Sequence, residues 1–279
     1  NWSVRFLWIF FWITILLLFA YYFRLEIKSA LSTFSTKIER LGEANRKPDI
    51  RYKNLDLPLP LEDRAEQIIK HEGYTVSYNK NWRLPNWVAY ELTRDELRGT
   101  VSRTDKFVVD PYVNGVSATN ADYHRSGFDR GHMAPAADMT WSETAMKESF
   151  YFSNMCPQNP GLNRGAWKDL EESIRKWVKK DSAIAIVCGP LVDKRDTTIG
   201  RNEVKIPHAF FKVIVSPYVT TPRGIGFVFK NEKEDAPLSA YVVSIDSVEA
   251  LTGMDFFSEL PDELENRLES QNNIFDWEL

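Results

Sequence analysis

Cysteine is nearly absent: Cys156 and Cys188 are the only two in 279 residues. That excludes a disulfide-held scaffold, and no CxxC or Cys/His spacing offers a zinc site. The pair reads as two small, half-buried residues, with a single bridge open only to a domain outside the cytosol. Positive charge is not in excess either. A net charge of −4 excludes a protein that coats nucleic acid through a broad basic face. No internal repeat and no low-complexity tract occurs, which sets aside solenoids and long disordered chains. Histidine is scarce, with His71, His124, His132 and His208 the full set, so any imidazole chemistry must come from these four.

The charge that is present is uneven. Residues 255–279 hold eight acids against one base, Arg267, and carry −7; the rest of the chain carries +3. A mildly basic body is compatible with local phosphate contacts. The acidic stretch is expected to be a separate C-terminal tail containing a solvated helix, with Pro261 near its first turn.

One long hydrophobic run stands out. Residues 6–23 read FLWIFFWITILLLFAYYF, without a charge. The run is just long enough to span a bilayer core, and Trp2, Trp8, Tyr21 and Tyr22 sit near its ends as interfacial anchors. It ends in bulky residues rather than the small ones that signal cleavage requires, so residues 1–24 are expected to form an uncleaved, single-pass anchor. Arg5 on one side and Arg24 and Lys28 on the other leave its orientation open. Ile27, Leu31, Phe34, Ile38 and Leu41 then recur at heptad spacing. This predicts an amphipathic juxtamembrane helix, with weak homodimerisation as its extension. Pro48, Pro58 and Pro60 mark a linker that closes the segment at residue 60.

Residues 61–254 read as a folded body. A helix is predicted over 64–72, stopped by Gly73. Strands are predicted at 74–79, 87–92, 183–188, 209–215, 226–229 and 241–245 from β-branched and aromatic content. Helices are predicted at 144–148 and 166–179, the second with Leu170, Ile174, Trp177 and Val178 on one face. Strands outnumber helices, and the helices fall mid-chain, which predicts an α+β fold with a mainly antiparallel sheet.

The chemistry-bearing segment is FDRGHMAPAADM at 128–139. A histidine two residues after an arginine is not specific alone, and a lone histidine is more often a structural hydrogen bonder. The company of His132 changes its weight: YFSNMCPQ follows at 151–158 and LNRGAWKDLE at 162–171. Asn163 precedes a predicted helix, where asparagine usually serves as an N-cap. Glu171 lies eight residues on, within about 80° of the same helical face.

Together these blocks resemble the DNA/RNA non-specific endonuclease family of ββα-metal nucleases, the endonuclease G-like enzymes. The likeness rests on Asp129, Arg130, Gly131 and His132 with the small residues after them, then on Ser153, Asn154, Pro157, Gln158, Asn163, Trp167 and Glu171. It extends more weakly over residues 72–253 and does not cover residues 1–60 or the acidic tail. The resemblance implies a ββα-metal motif and Mg²⁺-dependent hydrolysis of DNA or RNA phosphodiesters, with Mn²⁺ as the alternative ion. His132 is implied as general base and Asn163 as the one direct protein ligand of the hydrated metal. Glu171 is implied to hold the metal's water shell. Arg130 and Asn154 are implied to orient the phosphate or support the site, and Asp129 to fix the motif loop. An upstream arginine, Arg103 or Arg94, is implied to contact phosphate.

The chemistry is coherent apart from the family. Neutral histidine is a competent base near pH 7, Mg²⁺ takes oxygen ligands and keeps several waters, and arginine donates charge-assisted hydrogen bonds to phosphate. A site that grips phosphate and sugar carries little base information. Trp141 and Trp167 are candidates for stacking on bases, although Trp167 lies inside a predicted helix, where core burial is the expectation. Two other readings stay open: a catalytically inactive, membrane-tethered nucleic-acid-binding protein, and a phosphodiesterase for another ester. A degradative nuclease facing the cytoplasm would threaten its own genome, so the catalytic domain is expected on the extracytoplasmic side.

Overall fold

The computed structural model describes Tyr52, residues 55–233 and residues 235–279. The expected anchor at 6–23, the repeat at 27–41 and most of the 45–60 linker lie outside the described residues. Among the described residues, no helix is long and apolar enough to cross a membrane. In chain order the body runs β1 (Gln67–Lys70), β2 (Thr75–Asn79), β3 (Leu84–Thr93), α1 (Asn120–Tyr123), β4 (Asp129–His132), α2 (Glu143–Glu148), β5 (Met155–Gln158), α3 (Pro160–Arg164), α4 (Ala166–Asp181), β6 (Ala183–Leu191), β7 (Thr198–Ile199), β8 (Val204–Lys205), β9 (Ala209–Ser216), β10 (Arg223–Lys230), β11 (Val242–Val243), α5 (Ile245–Thr252) and α6 (Asp262–Glu269).

Seven strands form one sheet in the order β1-β2-β3-β6-β9-β10-β11. Every pairing in it is antiparallel, so the α+β class with a mainly antiparallel sheet is observed. The sheet is buried on both faces. One face carries Val76, Tyr90, Ile184, Ile186, Phe210 and Phe227, packed against Leu170, Ile174 and Val178 of α4. The other carries Ala89, Val187, Phe211, Val213 and Val215, packed against Ile245 and Val248 of α5 and Leu268 of α6. A strand buried on both sides shows no polar alternation, which is why β6 reads as the unbroken run AIAIVC. Neighbouring strands β3 and β6 are joined by a long excursion, and all the motif residues lie within it.

Three expectations change. Residues 64–72 do not form a helix; Gln67–Lys70 is instead an edge strand paired with β2. Its burial alternates, with Ile68 47% exposed and Ile69 buried. Tertiary pairing overrides the helical composition of this stretch. The strand expected at 241–245 shrinks to Val242–Val243, because Ser244 caps α5 by accepting a hydrogen bond from Ser247 N. The acidic stretch at 255–279 packs into the body: Phe256, Phe257, Leu260 and Leu268 join the core behind the sheet, and Trp277 joins the core in front. The helix after Pro261 is present as α6, but Leu268 and Glu269 in its last turn are buried. The cysteines are free and buried.

Trp277 meets Trp177 of α4 edge-on at 4.7 Å between ring centroids and lies beneath the Arg223 guanidinium at 4.6 Å. Removing this ring leaves a cavity at the end of α4. Trp277→Ala is expected to cost about 3 kcal/mol of unfolding free energy, read by denaturant titration. A loss below about 0.5 kcal/mol would show the C-terminal residues to be an appendage after all.

Candidate active site

The motif strand β4 pairs antiparallel with β5, Asp129 opposite Gln158 and His132 opposite Met155, and α3 and α4 follow directly. Gly131 is required here for space: a Cβ at this position would lie 2.2 Å from Gln158 Oε1, and Gln158 is fully buried. The end of β4 is fastened by Asn154. Its Oδ1 accepts from Ala134 N at 2.9 Å, and its Nδ2 donates to the carbonyls of Ala134 and Ser149. Ser153, beside it, donates to Asp110 at 2.6 Å, which also meets the buried ring of His71 at 3.0 Å and accepts from Tyr112 N at 2.9 Å. The Ser153-Asn154 pair is thus a knot that fixes loop backbone.

The His132 ring lies between two aromatic rings. Phe150 meets it edge-on at 5.0 Å and Phe107 at 5.6 Å. Each of these rings carries a guanidinium on its face, Arg103 over Phe150 at 4.9 Å and Arg130 over Phe107 at 4.6 Å. The residue as a whole is half-buried, but Nε2 is sealed from solvent and has no hydrogen-bond partner among the described residues. Burial, reinforced by the positive charge of Arg103, depresses the imidazole pKa from 6.5 to about 3. His132 is therefore neutral at physiological pH. Its carbonyl accepts a hydrogen bond from Trp167 Nε1 at 3.3 Å, which ties β4 to the first turn of α4.

Asn163 is not the cap of α4. It sits within α3, where Asn159 is the N-cap, and its Nδ2 donates to Asp129 Oδ2 at 2.9 Å. Only the amide NH₂ can donate to a carboxylate, so this bond fixes the amide and leaves Oδ1 free of protein donors among the described residues. Arg164 grips the same carboxylate with two bonds of 2.8 and 2.7 Å. Burial works against the charge on Asp129, but the Arg164 and Asn163 hydrogen bonds outweigh it and hold the carboxyl below its usual range.

Glu171 lies one turn beyond Trp167. Burial raises its carboxyl to about 7; Asp138 adds to the rise, and Lys212 and Arg175 oppose it. Arg175 is bonded to Asp138 at 2.9 Å, and Asp138 also accepts from Tyr90 Oη at 3.0 Å. Lys212 is fully buried in β9, its ammonium 4.4 Å from the Trp167 ring centroid.

The structure brings Arg103 and Arg130 to His132, and β4 and Trp167 join this group to Asn163 and Glu171. It does not bring Arg94. That side chain caps the far end of α4 by donating to Lys180 O at 2.9 Å, nine residues past Glu171, so Arg103 is the upstream arginine at the site. Asn154 is part of the support, since its amide is fully used on backbone. Trp167 is 1% exposed and closed to base stacking, whereas Trp141 is half-buried. Sequence reasoning missed Phe107, Phe150, Arg175 and Lys212. Arg175 stands one helical turn past Glu171, and Lys212 is the lone charge in the apolar strand AFFKVIVS; both signals were present. The aromatic rings carried none.

A family model described as DNA/RNA non-specific endonuclease matches residues 59–263. The chain belongs to that family. This endonuclease is 36% identical over 213 residues to Nuclease C1 of Cunninghamella echinulata var. echinulata, across 70% of this chain and 84% of that protein. It is 36% identical to human mitochondrial Endonuclease G over 205 residues, 68% of this chain and 69% of the relative. Among solved structures, a chain in the crystal structure of the EndoG/EndoGI complex matches with a TM-score of 0.67 and 32% identity, covering 71% of this endonuclease and 89% of that chain.

Nucleases of this family depend on a divalent metal. The donor set in this endonuclease fits such an ion: Asn163 Oδ1 is left free of protein donors among the described residues by the Asp129 bond to its Nδ2, and Glu171, raised by burial to about 7, gains from a nearby cation. Because His132 protonates at 6.5 in the unfolded chain but near 3 in the fold, its contribution to stability is complete above about pH 6.5 and is lost as pH falls toward 3. NMR of the His132 ring between about pH 5 and pH 8 is expected to show no titration. A midpoint near 6.5 would contradict the enclosed, neutral ring.

Proposed function

We propose that this endonuclease is a Mg²⁺-dependent, sequence-non-specific nuclease, with Mn²⁺ as a substitute ion. It hydrolyses phosphodiester bonds of DNA, RNA or both, and His132 is its general base. The observation that carries this reading is the neutral imidazole whose Nε2 has no partner among the described residues, set beside the two guanidiniums of Arg103 and Arg130. An unpartnered ring nitrogen at a position where anions are attracted suits the deprotonation of a water that substrate binding places against a phosphodiester.

In this mechanism Arg103 and Arg130 bind the non-bridging oxygens of the phosphodiester through charge-assisted hydrogen bonds. Neither is locked elsewhere: Arg103 pairs with exposed Asp105, and Arg130 donates to Asn120 Oδ1. His132 takes the proton from the attacking water. Its carbonyl bond to Trp167 ties down the strand that carries the ring, and Phe107 and Phe150 flank the imidazole. Asn163 Oδ1 would hold the metal, and Glu171 would accept hydrogen bonds from water bound to it. The metal, when bound, supplies positive charge to the phosphate and the leaving oxygen. A site that grips phosphate and sugar carries little base information, so cleavage is expected to be weakly sequence-dependent.

The reading extends to the N-terminal residues. Residues 6–23 anchor the enzyme in a membrane as a single pass, with the catalytic body on the extracytoplasmic side, and the heptad repeat supports homodimerisation. The length and hydropathy of the run support the anchor.

The test is plasmid nicking and RNA cleavage with Mg²⁺ and with chelator. His132→Ala is expected to lose at least about 100-fold in rate while melting near the wild-type temperature. Asn163→Ala should require more Mg²⁺ for half-maximal rate, and Arg103→Ala should slow cleavage where Arg94→Ala does not. Wild-type cleavage by His132→Ala would remove the base assignment. Absence of cleavage by the wild type under all conditions would favour a binding protein without catalysis.

A further inference from the structure

The C-terminal acids do not all face solvent. Asp246 and Glu249 of α5 and Glu269 of α6 each place a carboxylate oxygen within 4.8 Å of the other two. Asp246 is exposed and Glu249 half-buried, but Glu269 is only 7% exposed. Its Oε1 is sealed from solvent and has no hydrogen-bond partner among the described residues. Glu249 is held in place, since its Oε1 accepts from Phe256 N at 2.8 Å. Among the described residues none of the three carboxylates makes an ion pair, and Arg267, the one base of this acidic stretch, makes none either.

Such an arrangement is unfavourable as it stands. A buried, unpartnered carboxylate pays desolvation without compensation, and here two others face it. Burial first, and then repulsion by Glu249, Glu265, Asp246 and Asp255, drives the Glu269 carboxyl up to about 9. A cation at the point of convergence attracts all three carboxylates and outweighs their mutual repulsion.

We infer that Asp246, Glu249 and Glu269 form a structural site for a hard divalent cation of calcium's size, which clamps α6 to α5. The donors are all carboxylate oxygens, with no imidazole or thiolate among them, which disfavours zinc and copper. Three oxygens within 4.8 Å of one another reach one Ca²⁺ at bonds of about 2.3–2.6 Å after side-chain adjustments of a few tenths of an ångström. Mg²⁺, with bonds of about 2.1 Å, demands a tighter shell. Water completes the coordination on the exposed Asp246 side. The site lies behind the sheet, with Ile245, Val248 and Leu268. The His132 group packs with the core on the opposite face, so this site stands or falls apart from the catalytic reading. Protons compete with the ion for Glu269, so binding tightens as pH rises.

The experiment is thermal unfolding of the full chain in chelator and in excess Ca²⁺, near pH 8, with Tb³⁺ luminescence as a direct binding readout. Calcium is expected to raise the wild-type melting temperature by about 3 °C. Asp246→Asn, on the surface and safe for folding, and Glu269→Gln are expected to lose most of that increment and to weaken Tb³⁺ binding about tenfold or more. Asn163→Ala is expected to keep the increment. An equal calcium increment in the wild type and both carboxylate variants overturns the proposal. So does a wild type that ignores calcium while Glu269→Gln melts higher in chelator, which identifies a protonated acid in place of a cation site.

Discussion

One enclosed imidazole sets the terms for the rest of the site. His132 can act on water only if it stays neutral and its lone pair is not spent on the protein. Both conditions come from the same two rings. Phe107 and Phe150 remove water from Nε2 and offer it no donor, and on their outer faces they carry Arg130 and Arg103. The Arg103 charge makes protonation of the ring still less favourable, and the two guanidiniums together form a seat for an anion. Neutrality of the base and attraction of the substrate therefore have one structural cause.

Holding a strand of four residues in this position takes more effort than the strand supplies itself. Asp129 at its start is gripped by Asn163 and Arg164. Gly131 admits Gln158, and the His132 carbonyl is tied to Trp167. Asn154 fixes the backbone beyond. Most of these residues belong to the motifs, and only a few of them have atoms left over for substrate or metal. The motif is in good part a fastening, built around one imidazole and one amide oxygen.

That division was only partly legible in the sequence. The central strands could be read because apolar runs between turn signals have few alternatives, and α4 because its apolar face repeats at helical spacing. Gln67–Lys70 could not, since its composition favours helix and only the pairing with β2 makes it a strand. The motif blocks named His132, Asn163 and Glu171, but they do not separate a side chain used on backbone, such as Asn154, from one that stays available. Arg94 and Arg103 look alike in sequence; only the fold sends one to the end of α4 and the other to His132. The acidic residues at 255–279 suggested a solvated tail because charge hides the apolar positions between them. Phe256, Phe257, Leu268 and Trp277 carry that stretch into the core.

Anomalous diffraction from Mn²⁺-soaked crystals tests the central claim most directly. The claim is that the amide oxygen holds the ion and the imidazole is left free for water. The account predicts one catalytic-site peak bonded to Asn163 Oδ1 at about 2.2 Å, surrounded by waters, with His132 outside its coordination shell. A peak bonded to the His132 ring would contradict it, because the imidazole would then be a ligand and not the base.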